Sequence, residues 1–292
     1  MNITKTKDKI IISDTADFDI KQILECGQVF RFKNLGDRWT VFSKNYKAEI
    51  FTYSDRVEII SSNTDYFYNY FDLDTDYDEI KRQLLGIDYD SQITGLGTEM
   101  AQNEPEMSGY EYMSAVIECG SGIRILRQDL FEVIISFIIS ANNNIKRIQG
   151  IIERMCSGLG TKMEGFYAFP TLEQLLKADI SFFEKIGAGY RAKYLYEATR
   201  QLAGEYNDIL VKTPARERIL QIMGVGPKVA NCIMLFAFHR LDTAPVDVHI
   251  KRAIESMGKI KADVIFNHKY AGVAQQYIFY SVQNLKLDLD RH

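Results

Sequence analysis

Hydrophobic and polar positions follow two different periods along this chain, and the change falls near residue 112. Before it, Arg38-Trp-Thr-Val-Phe-Ser43, Tyr46-Lys-Ala-Glu-Ile-Phe-Thr-Tyr53 and Arg56-Val-Glu-Ile-Ile-Ser61 alternate or cluster apolar residues between Asn, Ser and Asp turns. Residues 1–75 therefore read mainly as strands of a small antiparallel sheet. Asp76 to Leu85 takes a helical period, with Asp76 placed to cap it. Residues 86–111 are polar, glycine-containing and aperiodic, and read as a loop or connection.

From Tyr112 the period is helical. Asp129 heads the apolar run Leu130 to Ile139, long enough for a buried helix, and Asn142-Asn-Asn144 interrupts before Ile145 to Leu159 resumes amphipathically. Thr171-x-x-Gln174 and Ser181-x-x-Glu184 fit capping boxes. Gly187 and Gly189 end the second of those helices, and Tyr190 to Leu202 begins another. Thr213-Pro214 opens a further helix, and Ala271 to Asn284 reads as the last long one. The expected fold is α+β: a β-rich part over residues 1–111, polar connection included, and a larger all-helical part over 112–292.

Composition keeps the classes open and charge narrows them. In 292 residues, 46% hydrophobic and 25% charged content is that of a soluble globular protein, and no apolar run approaches the roughly 18 residues a bilayer span needs. The amino terminus lacks the apolar core of a signal peptide, so the expected location is the cytoplasm, or the nucleoid if the source is prokaryotic. Cys26, Cys119, Cys156 and Cys232 show no C-x-x-C spacing, which supports neither a zinc site nor a disulfide framework, and no metal or cofactor is expected. The net charge of −4 hides an asymmetry: residues 1–119 hold 12 Lys+Arg against 22 Asp+Glu, net −10, and residues 120–292 hold 23 against 17, net +6. The basic part is the one a nucleic acid would meet.

The chemistry concentrates in Ile222-Met-Gly-Val-Gly-Pro-Lys-Val-Ala230, within a candidate hairpin spanning about 214–239, and in Ala244-Pro-Val-Asp-Val-His249. Gly224 and Gly226 permit a tight turn whose amides approach a phosphate closely, because glycine has no Cβ and tolerates positive φ. Pro227 suits the first turn of a helix. Lys228 then sits one residue into that helix, where the positive dipole end disfavours an extra cation and favours the free, nucleophilic amine. Asp247 is placed to cap the next helix.

This combination resembles the helix-hairpin-helix DNA glycosylases, and more specifically the 8-oxoguanine DNA glycosylases with AP-lyase activity. The likeness runs from Cys26-Gly-Gln-Val-Phe-Arg31 to Ala271-Gly-Val-Ala-Gln-Gln-Tyr-Ile-Phe279, through Arg127-Gln-Asp, Ser140-Ala-Asn-Asn-Asn-Ile-Lys-Arg147, Gly189-Tyr-Arg-Ala-Lys193, Gly224–Cys232 and Pro245–His249. It implies a TATA-binding-protein-like amino-terminal sheet, and a monomer whose partner is double-stranded DNA containing 8-oxoguanine. A membrane is not an expected partner. The four-cysteine iron–sulfur loop of some relatives is excluded, since no cysteine follows Asp247.

The resemblance also implies roles. Lys228 corresponds to the lysine that attacks C1′ of an everted nucleotide, giving a Schiff base that permits β-elimination, and Asp247 to the aspartate that stabilises charge on the sugar. Gly27 corresponds to the glycine whose carbonyl accepts from N7–H of the lesion, Gln275 to the reader of the Watson–Crick edge, and Phe279 and Cys232 to the stacking walls. Gln275 and Phe279, at i and i+4, share a helix face. Asn142, Arg147, Tyr190 and Arg191 correspond to residues that fill the vacated space and bind the opposite cytosine; Gly224 and Gly226 lie on the phosphate, as does His249. Val282 stands where eukaryotic relatives carry an aspartate partner for that histidine. Two other readings stay open: the same fold with another lesion preference, and a hairpin module that only binds phosphate.

Overall fold

The computed structural model describes residues 1–87, 107–211 and 216–284. The strands are β1 (Asn2–Lys5), β2 (Lys9–Ser13), β3 (Phe32–Asn34), β4 (Trp39–Ser43), β5 (Tyr46–Thr52) and β6 (Arg56–Ile60). They form one antiparallel sheet in the order β1-β2-β6-β5-β4-β3. Pairings such as Ile10 with Ile59, Ile12 with Val57 and Val41 with Ala48 put small and branched apolar residues on one buried face. Two short helices pack into that core, α1 (Ile20–Glu25) and α2 (Thr64–Tyr70), capped by the side chains of Asp19 and Asn63. Sequence pattern had assigned this region mainly to strands. In α2 the cap and the burial of Phe67 and Tyr70 override the strand preference of its aromatic residues.

The remaining helices are α3 (Tyr77–Leu85), α4 (Gly109–Cys119), α5 (Leu130–Ser140), α6 (Ile145–Leu159), α7 (Leu172–Leu175), α8 (Ile180–Lys185), α9 (Arg191–Val211), α10 (Arg216–Ile219), α11 (Pro227–Phe236), α12 (Val248–Met257), α13 (Lys259–Phe266) and α14 (Ala271–Asn284). Most begin where a short polar side chain caps free amides: Asp76, Asp129, Asn144 and Thr171 each accept from a backbone N–H of the first turn. Two expectations are corrected. The helix after the polar stretch starts at Gly109, because Ser108 and Glu111 form a reciprocal capping box. The box expected from Ser181 does not form; Asp179 accepts from Phe182 N, and the Ser181 hydroxyl donates to Asp179. The Thr213-Pro214 start and residues 88–106 lie outside the described residues.

Helix α5 is the axis of the helical core, with Leu130 to Ile139 all buried and α11 packed against it. Cys26 and Phe30, which follow α1, belong to this core rather than to that of the sheet. Polar groups join the two parts. Buried Arg124 donates to the carbonyls of Phe71, Asp17, Asp72 and Thr75. Asp72 accepts from Arg127 Nε (2.7 Å) and Tyr77 Oη (3.0 Å), and its Oδ2 lies 3.1 Å from His239 Nε2. Burial pushes the Asp72 carboxyl up, but the hydrogen bond and charge of His239, together with Arg127, outweigh it and hold the group below its usual range.

Candidate active site

The turn between α10 and α11 sets the position of Lys228. Gly224 adopts φ +84°, and a Cβ there would lie 2.8 Å from Tyr194 Cβ, so both conformation and packing require glycine. Gly226 differs from expectation: its φ of −92° is open to any residue. A Cβ there would meet nothing within 4 Å, so its missing side chain leaves the outer surface free for close approach. Met223 N donates to Gln201 Oε1 (3.1 Å) and Gln201 Nε2 donates to Gln221 O (2.9 Å), tying the turn to α9. Pro227 opens α11 and Lys228 is its second residue.

Asp247 caps α12, its Oδ1 accepting from His249 N and Ile250 N at 3.0 Å each. Asn231 links this segment to α11: its Nδ2 donates to Ala244 O (2.8 Å) and its Oδ1 accepts from Arg216 Nε (2.7 Å). Lys228 and Asp247 line one cavity together with Cys26, Gly27, Phe137, Cys232, Phe236, Pro245, Gln275, Gln276 and Phe279. The two do not form an ion pair. Lys228 Nζ lies 5.4 Å from the centre of the Phe137 ring. Burial pushes the Cys232 thiol up, against the charge and hydrogen bond of Lys228.

The cavity holds about 30 Å³, roughly the share of one water. Phe279 explains the tightness. Its Cε1 lies 3.0 Å from where a Cβ on Gly27 would be, and its ring meets His249 edge-on at 6.1 Å between centres. Gly27 has φ +79°. Gln28 and Gln128, which sequence reading missed, hold it there. Gln28 Nε2 donates to the carbonyls of Ile23 (3.0 Å) and Arg124 (2.8 Å), and its Oε1 accepts from Leu126 N (2.9 Å). Gln128 Nε2 donates to Gln28 O (2.7 Å), while Gln128 N donates to Phe236 O (2.9 Å). Apart from the bond to Ile23, these contacts cross about a hundred residues of sequence and leave no local signal.

The other expected residues form a second group. Asn142, at φ +49°, ends the turn after α5. Arg147 donates to Gly187 O (3.3 Å) and Tyr190 Oη to Ala141 O (3.3 Å), which brings the Asn142 turn and the Gly187–Arg191 segment together. Arg191 differs from a free reader of bases. It is 2% exposed, donates to Ala141 O from both Nε (2.8 Å) and Nη2, and to Asn142 O from Nη2 (2.7 Å). Its guanidinium holds the turn that carries Asn142. His249 contacts Phe279, and Val282 lies half-buried on α14.

Comparison with known proteins places this geometry. Residues 10–134 match the family model of the 8-oxoguanine DNA glycosylase N-terminal domain, and residues 135–270 that of the HhH-GPD superfamily base excision DNA repair proteins. The 8-oxoguanine glycosylase/lyase of Clostridium acetobutylicum, solved with dsDNA containing cytosine opposite 8-oxoG, superposes with a TM-score of 0.82. It is 32% identical, over 98% of this chain and 99% of that one. The chain belongs to the 8-oxoguanine DNA glycosylase family. Among curated relatives, the N-glycosylase/DNA lyase of Saccharomyces cerevisiae is 36% identical over 49% of this chain and 43% of its own length. That of Arabidopsis thaliana is 38% identical over 44% of this chain and 39% of its own. The matched segment thus spans less than half of each of these two relatives. Among the described residues no helix is long and apolar enough to cross a membrane, and no group of His, Cys, Asp and Glu could hold a metal ion.

Proposed function

We propose that this protein excises 8-oxoguanine from double-stranded DNA and cleaves the resulting abasic strand as a lyase. The observation that carries the proposal is the single cavity in which Lys228, Asp247, Gly27, Cys232, Gln275 and Phe279 converge from four separate parts of the chain. The base, everted from the stack, lies between Phe279 and Cys232 with its Watson–Crick edge on Gln275 and its N7–H on the Gly27 carbonyl. At the present cavity volume this requires Phe279 to turn away from Gly27.

The free amine of Lys228 attacks C1′ as the N-glycosidic bond breaks and the electron pair leaves with the base. The secondary amine then opens the sugar to a Schiff base, loss of the 2′ proton follows, and the 3′ phosphate departs by β-elimination. The Asp247 carboxylate, fixed by two amides, faces the charge developing on the sugar. Gly224, Gly226 and His249 hold the backbone phosphates, while Asn142, Arg147, Tyr190 and Arg191 hold the opposite cytosine; for Arg191 this means exchanging its bonds to the turn for bonds to the base. The division of the chain near residue 111, action as a monomer, and a place in the cytoplasm or at the nucleoid belong to the same proposal.

A duplex carrying 8-oxoguanine opposite cytosine, incubated with borohydride, tests it. The wild-type protein forms a covalent adduct, and Lys228→Gln forms none while still binding the duplex in an anisotropy assay. An adduct that persists in the variant would refute the assignment of Lys228. Failure of the wild type to excise the lesion would refute the substrate, and excision of alkylated purines instead would favour the other lesion preference. A phosphate-binding module has no use for a lysine and a carboxylate in one cavity.

A further inference from the structure

Next to Gln275 on α14, the cavity is lined by a second amide, that of Gln276. Gln276 is 3% exposed. Its Nε2 donates to Gln275 Oε1 (2.9 Å), and its own Oε1 is buried with no hydrogen-bond partner. An amide is polar at both ends, and a buried carbonyl oxygen left without a donor destabilises the fold unless something supplies one. Here the unpartnered oxygen belongs to a residue that lines a binding cavity.

The chemistry of the base matches the deficit. The Watson–Crick edge of a guanine-type base presents the O6 acceptor, the N1–H donor and an exocyclic amino group with two further hydrogens. Gln275 Oε1 has two lone pairs, and Gln276 already occupies one. A single amide oxygen with one lone pair to spare does not satisfy both N1–H and the 2-amino group. An adenine-type edge, with an acceptor at N1 and hydrogen in place of the 2-amino group, would leave the Gln276 oxygen unpaired.

We infer that Gln276 is a specificity-determining residue of the base pocket, whose Oε1 accepts from the 2-amino group of the everted base while its Nε2 fixes the orientation of the Gln275 amide. This rests on the function proposed above, and it assigns a second reader to the same edge.

The test compares two duplexes that differ only in the 2-amino group: one with 8-oxoguanine opposite cytosine, one with 8-oxohypoxanthine in its place. Single-turnover excision rates and dissociation constants are measured for wild type, Gln276→Leu and Gln276→Glu. Loss of one hydrogen bond to a neutral group corresponds to roughly 3- to 10-fold. The wild type is therefore expected to prefer 8-oxoguanine by that factor. Gln276→Leu, close in volume but without polar atoms, is expected to slow on both duplexes, because Gln275 loses its tie, and to lose the preference between them, because 8-oxoguanine slows further. Gln276→Glu loses the tie to Gln275 but keeps an acceptor, so it is expected to slow on both duplexes and still retain the preference, which a merely structural role would not produce. If Leu at this position prevents folding, judged by the melting transition, Gln276→Met is the second apolar variant. The same preference in wild type and the apolar variant overturns the inference, as does a wild type indifferent to the 2-amino group. A wild type inactive on 8-oxoguanine overturns the proposed function instead.

Discussion

Replacing Gly27 by alanine perturbs the pocket at one atom. The residue sits at φ +79°, and an added Cβ would stand 3.0 Å from Phe279 Cε1. An L-residue in the left-handed region costs about 1–2 kcal/mol, which for a domain of this size lowers Tm by roughly 2–8 °C. The contact falls short of the about 3.5–4.0 Å at which carbon atoms attract, so either the Phe279 ring retreats or the Gly27 backbone shifts. The backbone is tied through Gln28 and Gln128, so the ring is the part that yields, and the added methyl, projecting toward Phe279 where the base must lie, holds the base off the Gly27 carbonyl. Losing that acceptor strands the N7–H of a buried base, at about 1–3 kcal/mol, or roughly 5- to 150-fold in rate. Single-turnover excision is therefore expected to fall within that range in Gly27→Ala, with the melting loss above. Binding to a duplex that already contains an abasic site stays unchanged, because no base enters the pocket. Wild-type excision in Gly27→Ala would refute the placement of the glycine against the base; weakened abasic-site binding would mean that the damage is general.

Asp247 combines a cap with a charge, and two variants separate them. Asn caps as well as Asp, so Asp247→Asn should melt close to wild type yet excise poorly, whereas Asp247→Ala should lose about 1 kcal/mol of stability as well; an active Asp247→Asn protein in the excision assay would exclude a role for the charge. Asp72 predicts a pH dependence. Its folded carboxyl is held below the unfolded value of 3.8, so its contribution to stability is present above that pH and is lost as the pH falls through the lower folded value. In urea unfolding between pH 6 and pH 2.5, the stability gap between wild type and Asp72→Asn should narrow below about pH 4; a gap constant across that range would contradict the argument.

The helical part of the fold was legible because its boundaries are local. Asp129, Asn144 and Thr171 cap within three residues of themselves, and the apolar period of α5 and α6 needs no partner to be recognised. The sheet was legible only where alternation or clustering was clear, in β4 to β6. β3 has three residues and β1 is mostly exposed, so neither carries a pattern strong enough to separate it from a loop. Helix α2 was hidden for the opposite reason: Tyr66, Phe67, Tyr68 and Tyr70 suit a strand equally well, and the choice is made by Asn63 and by packing against the sheet.

The candidate site divides in the same way. Lys228 and Asp247 stand out because proline, glycine and a cap fix each on a helix start within a few residues, and chemistry that depends on a helix start can be read from sequence. Gly27 cannot be read so, since a glycine before a glutamine is otherwise an ordinary turn. What makes it a wall of the pocket is the pair Gln28 and Gln128, whose bonds to Arg124, Leu126 and Phe236 exist only after the chain has folded. Gln276 was silent for a related reason: two glutamines in succession look redundant on a helix. Its meaning lies in an oxygen left without a donor, which shows only when every neighbour has been placed. Residues that act through their position on one element were visible in the sequence, and residues that act by closing a gap between elements were not.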